Sequence, residues 1–195
     1  MQRQISIFNA EDDLLSLFTT TVSLAPTQQR VAGQMLSALD AGELCLLQAG
    51  SGMGRTTVLR WLHARIGGIF FAARQWVAAR NKAEAMRDSI VFVDDVHLID
   101  ISETARSRWR NRFVFSTAEK LPRYPATHAI KNFATQDYAV ICRRYLGAAT
   151  DRLDIDEIHR SAPGLNAHQL KHACLWLGLR YAAPTTAAFL ACLAR

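Results

Sequence analysis

The chain carries only four cysteines, Cys45, Cys142, Cys174 and Cys192, and no two of them form a C-x-x-C pair. That spacing argues against a zinc site and against a disulfide framework, and it points to a reducing compartment. Long apolar runs are also missing, since none approaches the roughly 18 residues of a membrane span. The start, Met1-Gln2-Arg3-Gln4, is polar and lacks the apolar core of a signal peptide. There is no internal repeat and no low-complexity tract. These absences predict a soluble, cytoplasmic protein. What remains is ordinary in bulk: 195 residues, 50% apolar and 21% charged, enough for one α/β domain or a domain with a small appendage. The net charge of +6 favours polyanionic partners, nucleic acid among them.

One stretch departs from this ordinary background. Ala49-Gly50-Ser51-Gly52-Met53-Gly54-Arg55-Thr56 is close to G-x-x-x-x-G-K-[ST], the pattern whose glycine-rich backbone wraps phosphate groups. Ala49 stands at the first glycine and Arg55 at the lysine. Gly50, Ser51, Gly52, Met53 and Gly54 provide the loop, with Arg55, Thr56 and Thr57 as further candidate phosphate or nucleotide ligands. The Thr56 hydroxyl is a candidate Mg²⁺ ligand. Such a loop works between a buried strand and a helix N-terminus, whose partial positive charge lies under the phosphates. Leu44-Cys45-Leu46-Leu47-Gln48 reads as that strand. From Thr56 to Arg65, Val58, Leu59 and Leu62, followed by Ile66, recur at helical spacing.

The surrounding segments alternate in the same way. Thr27 to Leu39 reads as a helix capped by Thr27 and stopped by Gly42. Ile69-Phe70-Phe71 is a second strand and Arg74 to Arg87 an alanine-rich helix. Ile90-Val91-Phe92-Val93 runs into Asp94 and Asp95, an apolar strand presenting two carboxylates at its end. The first is a candidate Mg²⁺ ligand and the second a candidate catalytic group that orients attacking water. Phe113-Val114-Phe115-Ser116-Thr117 is a strand ending in hydroxyls, and His128 to Phe133 a weaker fifth. Repetition of this kind predicts a parallel sheet with its ligand at the strand C-termini. Beyond residue 135 four segments read as helices: 137–146, 154–161, 166–181 and 185–194, with Asp137, Asp154 and Thr185 as caps.

Other residues carry weaker signals. Arg106, Arg108, Arg110 and Arg112, around Trp109, suit nucleic-acid contact, a solvated loop or contact with a neighbouring subunit's nucleotide equally well. His168 and His172, spaced i, i+4, can pair on a helix face but have no acidic companion, so they read better as ordinary core or surface histidines. Ser51 lacks the context of a nucleophile elbow.

The phosphate loop, the acidic strand, the hydroxyl-ended strand and the trailing helices together resemble the AAA+ superfamily over residues 25 to 195. The resemblance implies a P-loop α/β fold, a five-stranded parallel sheet flanked by helices, followed by a small all-helical lid. It divides the chain into an N-terminal extension (1–24), a nucleotide-binding α/β domain (25–135) and a helical lid (136–195). Gly164-Leu165-Asn166-Ala167-His168-Gln169-Leu170 resembles the lid motif of the AAA family proper. Gln75-Trp76-Val77 resembles the aromatic pore loop of that family, although a core role suits Trp76 as well. Asp94-Asp95-Val96-His97 is more similar to the replication initiator DnaA and its relatives.

The resemblance implies ATP and Mg²⁺ as cofactors, Thr117 (or Ser116) as the polar sensor, and Arg123 as a catalytic arginine finger reaching a neighbouring subunit. It further implies assembly into a homo-oligomer or with another AAA+ subunit, and action on a protein partner. Several positions depart from the pattern. Arg55 is planar and forked where lysine is a point charge. Asp95 is one methylene shorter than the usual glutamate, Ala118 falls where a sensor asparagine is expected, and no second-sensor arginine is evident. The expected activity is slow ATP hydrolysis or none. The alternatives are a DNA-linked switch of the initiator, helicase-loader or transposition-regulator type, and an interaction scaffold that has abandoned catalysis.

Overall fold

The computed structural model describes residues 23–80, 89–102, 113–121, 123–124, 127–181 and 183–193. The acidic Glu11-Asp12-Asp13, the arginine run 106–112 and the second half of the helix expected over 74–87 lie outside the described residues.

Five strands form one parallel sheet: β1 (Cys45–Ala49), β2 (Ile69–Ala72), β3 (Val91–Asp94), β4 (Phe113–Thr117) and β5 (His128–Ile130). Their order across the sheet is β2-β3-β4-β1-β5. Around them run α1 (Pro26–Asp40), α2 (Arg55–Ile66), α3 (Ala73–Ala79), α4 (Thr135–Leu146), α5 (Ile155–Ser161), α6 (Ala167–Arg180) and α7 (Thr186–Leu193).

The strands are apolar throughout because the sheet is covered on both sides. Alternate residues of each strand feed two separate cores. Cys45, Leu47 and Ala49 of β1 join Phe92 and Val114 beneath residues of α1, α2, α4 and α6. Leu46, Val91, Val93, Phe113 and Phe115 form the opposite core with Phe71 and Trp76. Trp76 is only 2% exposed, and its ring packs against Phe71 and Phe113 at centroid distances of 5.6 and 5.5 Å. Of the two readings of this residue, the packing one holds. A ring sunk into the sheet is not presented to a substrate chain, and the pore-loop resemblance of Gln75-Trp76-Val77 is overturned.

Helix boundaries follow the caps with two corrections. Asp154 accepts from Glu157 N at 2.9 Å and Thr185 Oγ1 from Ala188 N at 3.2 Å, both as expected of N-caps. Thr27, however, lies inside α1, whose cap position is Ala25; the Gln28 side chain accepts from Ala25 N at 3.0 Å. Asp137 likewise sits in the first turn of α4, three residues after the cap position at Ala134. The two residues meet each other instead. Thr27 donates its backbone N–H and hydroxyl to Asp137 at 2.7 and 2.6 Å, and Asp137 also accepts from Ala134 N at 2.7 Å. A fully buried carboxylate thus ties α1 to α4. Gly42 ends α1 as anticipated, at φ 75°.

Candidate functional site

Parallel strands bring their C-terminal ends to one edge of the sheet. β1, β4 and β3 are neighbours there, with Gln48 level with Thr117 and Val93 level with Phe115. The loop after β1, the two acids ending β3 and the hydroxyls ending β4 therefore converge, although they are separated by tens of residues in sequence.

The loop turns tightly, with Met53 N donating to Gly50 O at 3.3 Å, and passes into α2 at Arg55. Gly52 and Gly54 have φ of 74° and 85°, a left-handed conformation that glycine adopts without strain. Both also face close neighbours. A Cβ on Gly54 would lie 2.2 Å from Gln28 Nε2, and one on Gly52 would lie 2.7 Å from the Asn166 carboxamide. The Gln28 amide donates to Met53 O at 2.9 Å, so α1 braces the loop from one side. The Met53 side chain is buried in the core and anchors it from below.

Thr56 Oγ1 donates to Asp94 Oδ2 at 2.5 Å. The other carboxylate oxygen of Asp94 accepts from Ser116 Oγ. Asp95 N is shared between Ser116 Oγ and Asp94 Oδ1, each at 3.1 Å. Asp95 is the one described non-glycine residue with positive φ, at 57°, a strained conformation of the sort that clusters at functional sites. Its carboxylate accepts from Arg55 at 2.6 Å, and the same guanidinium donates to Ala49 O at 2.5 Å. Arg55 Nε is buried with no partner among the described residues.

Above the loop lies a cleft of about 280 Å³, lined on the loop side by Gly52, Gly54, Arg55, Thr56 and Thr57. Its far wall comes from α4 (Ile141, Arg144, Tyr145) and α6 (Ala167, His168, Lys171). The cleft has cations on three sides, Arg55, Arg144 and Lys171, and no carboxylate among the described residues that line it. Arg144 reaches out to the carbonyl and hydroxyl of Ser23, fixing the chain's entry into α1.

The structure brings Gly52, Gly54, Arg55, Thr56, Thr57, Asp94 and Asp95 together, while Gly50, Ser51 and Met53 belong to the loop but not to the cleft lining. Two further expected site residues stand apart from the loop. Thr117 is 1% exposed and turns its hydroxyl to Glu119 O at 2.7 Å, outside the cleft lining. Arg123 sits in an exposed turn between Leu121 and Tyr124, also outside the lining. Ala118 N donates to His97 Nδ1 at 3.3 Å, so His97 braces the end of β4. Sequence reasoning missed Gln28, Ile141, Arg144, Tyr145 and Lys171, none of which lies in a recognisable motif.

The donor set suits a small hard cation bound together with phosphate. One hydroxyl and one carboxylate are what Mg²⁺ takes from a protein when the rest of its shell is water and phosphate oxygen. Among the described residues no group of three or more His, Cys, Asp or Glu is placed to hold a metal by itself. No described helix is long and apolar enough to cross a membrane.

Sheet order, loop and trailing helices define an α/β fold, a five-stranded parallel sheet flanked by helices. A solved structure of a RuvB variant from Thermotoga maritima shares it, with a TM-score of 0.53 and 14% sequence identity, over 89% of this chain and 69% of that one. No protein-family model matches the chain, and no curated protein is significantly similar to it.

Proposed function

We propose that this chain binds ATP with Mg²⁺ in the cleft above residues 50–57 and serves as a nucleotide-controlled module. In this reading it assembles with itself or with a partner ATPase to remodel or regulate a macromolecular partner. The observation that carries the nucleotide part is the contact between Thr56 Oγ1 and Asp94 Oδ2 at 2.5 Å. A hydroxyl and a carboxylate from separate motifs meet at the rim of a glycine loop, beside a cleft whose described charged lining, Arg55, Arg144 and Lys171, is cationic. In their proposed roles Thr56 and Asp94 hold Mg²⁺, which when bound neutralises charge on the phosphates. The loop amides cradle those phosphates, and Arg144 and Lys171 supply positive charge from the facing helices.

Hydrolysis is expected to be slow, and the reason is geometric. A water-orienting carboxylate must be free to accept a proton or a hydrogen bond from the attacking water. Here the Asp95 carboxylate is engaged by the Arg55 guanidinium at 2.6 Å. The same pairing leaves Arg55 as a fixed positive charge in the cleft wall.

Thermal unfolding with and without Mg²⁺·ATP tests the binding. Ligand at about 100 times its Kd stabilises a protein by roughly 2.7 kcal/mol. The expected result is a clear rise in Tm that shrinks in Arg55→Ala and Asp94→Ala. An unchanged Tm in the unaltered protein would sink the nucleotide reading.

A further inference from the structure

The first turn of α6 does more than wall the cleft. Asn166 caps this helix, its Oδ1 accepting from Gln169 N at 2.8 Å. The other half of the same carboxamide is directed at the loop, Nδ2 donating to Ser51 O at 3.2 Å. The next residue continues the contact, Ala167 N donating to Gly52 O at 3.0 Å. Ala167 is the first helical residue of α6, and a backbone N–H there has no partner within its own helix. The loop provides one. The fit is close, because any side chain at Gly52 would put a carbon 2.7 Å from the Asn166 carboxamide.

The contact bears on the loop's chemistry through the peptide plane. In a trans peptide the C=O and N–H point in opposite directions. Drawing the Ser51 and Gly52 carbonyls toward α6 therefore turns the Gly52 and Met53 N–H groups away from it, into the hollow of the loop. The Met53 N–H already faces across that hollow to Gly50 O at 3.3 Å. The Gly52 amide is thus oriented by the facing helix, while the Met53 amide is held in the turn by Gly50 O.

We infer that Asn166 and the Ala167 N–H form a latch that pre-orients the phosphate loop, making Asn166 a positioning residue for phosphate binding. This rests on the nucleotide reading above, but the latch itself is visible without nucleotide. Gly52 then has a second reason to be glycine, since it admits α6 as well as turning the loop. Asn166 likewise has two duties, which different substitutions separate. Serine at this position keeps a good cap but is too short to reach Ser51 O.

Amide hydrogen exchange read by NMR on the nucleotide-free protein, together with ATP·Mg²⁺ titration, tests the inference. In the unaltered protein the Ala167 amide is expected to be protected. In Asn166→Ser and in Gly52→Ala that protection should vanish while Leu170 to Leu177 stay protected, and ATP·Mg²⁺ should bind about tenfold more weakly. An Ala167 amide that exchanges freely in the unaltered protein would overturn the latch. Lost protection with undiminished ATP affinity would overturn its role in positioning the loop. If the unaltered protein shows a protected Ala167 but binds no ATP·Mg²⁺, the nucleotide reading fails, and the phosphate role with it, leaving only a structural contact. Asn166→Ser keeps the test open should Gly52→Ala, at a left-handed position, fail to fold.

Discussion

Arg55 shows what one side chain changes at this site. A lysine at that position offers a compact ammonium that can lie between two phosphates. The arginine fork instead spans two groups of its own chain, Ala49 O and the Asp95 carboxylate. Asp95 is held at a left-handed φ of 57°, a conformation that costs on the order of 1–3 kcal/mol and persists only when its surroundings enforce it. Arg55 and Ser116 are the enforcing partners. The substitution of lysine by arginine was plain in the sequence, but its consequence was not, because the partner lies 40 residues further along. Arg55→Lys should release Asp95 and return a mobile charge to the loop. Steady-state phosphate release is then expected to rise several-fold over the unaltered protein, with Asp95→Ala in the same background abolishing the gain. A rate that stays level or falls would show that the Arg55–Asp95 pair is not what restrains hydrolysis.

At the scale of elements, the strands were legible and the joints between helices were not. Strands β1, β3 and β4 are buried on both faces, so they read as unbroken apolar runs whatever packs against them. The loop and the acids could be placed because they follow such runs directly. Caps were harder. Thr27 and Asp137 both carry good capping side chains near helix starts, and local reasoning assigned each to its own helix. Their actual partner is each other, 110 residues apart, a tertiary bond that no local pattern encodes. The far wall of the cleft is obscure for a similar reason, since Arg144 and Lys171 resemble any surface cations until α4 and α6 are packed together. The Asp137 joint can be measured. Asp137→Ala removes the acceptor of three bonds, from the N–H and hydroxyl of half-buried Thr27 and from the N–H of exposed Ala134, and a hydrogen bond to a charged group contributes about 1.5–3 kcal/mol. Urea unfolding should show a loss of about 3 kcal/mol, enough to threaten a domain of ordinary stability. A loss under about 1 kcal/mol would mean that α1 and α4 are held by apolar packing alone.

At the scale of the whole molecule the open question is whether one chain makes a complete site. Arg123 is exposed and lies outside the lining of its own cleft, whereas Thr56 lines the cleft and is bonded to the buried Asp94 behind it. If Arg123 serves a neighbour's nucleotide, the two kinds of residue act on different chains, and their defects complement. An Arg123→Ala chain keeps a sound cleft and lacks the arginine; an Asp94→Ala chain is the reverse. Each alone should be nearly inactive in ATP hydrolysis. In an equal mixture, random head-to-tail assembly pairs a sound cleft with a sound arginine at about a quarter of the interfaces. Activity should therefore recover to about that fraction of the unaltered rate and should fall on dilution as assemblies come apart. Were Arg123 to act within its own chain, every subunit in the mixture would carry a defect and mixing would restore nothing. Were Arg123 idle, the Arg123→Ala chain would hydrolyse ATP at the unaltered rate by itself, and the case for a site shared between subunits would lose its only named residue.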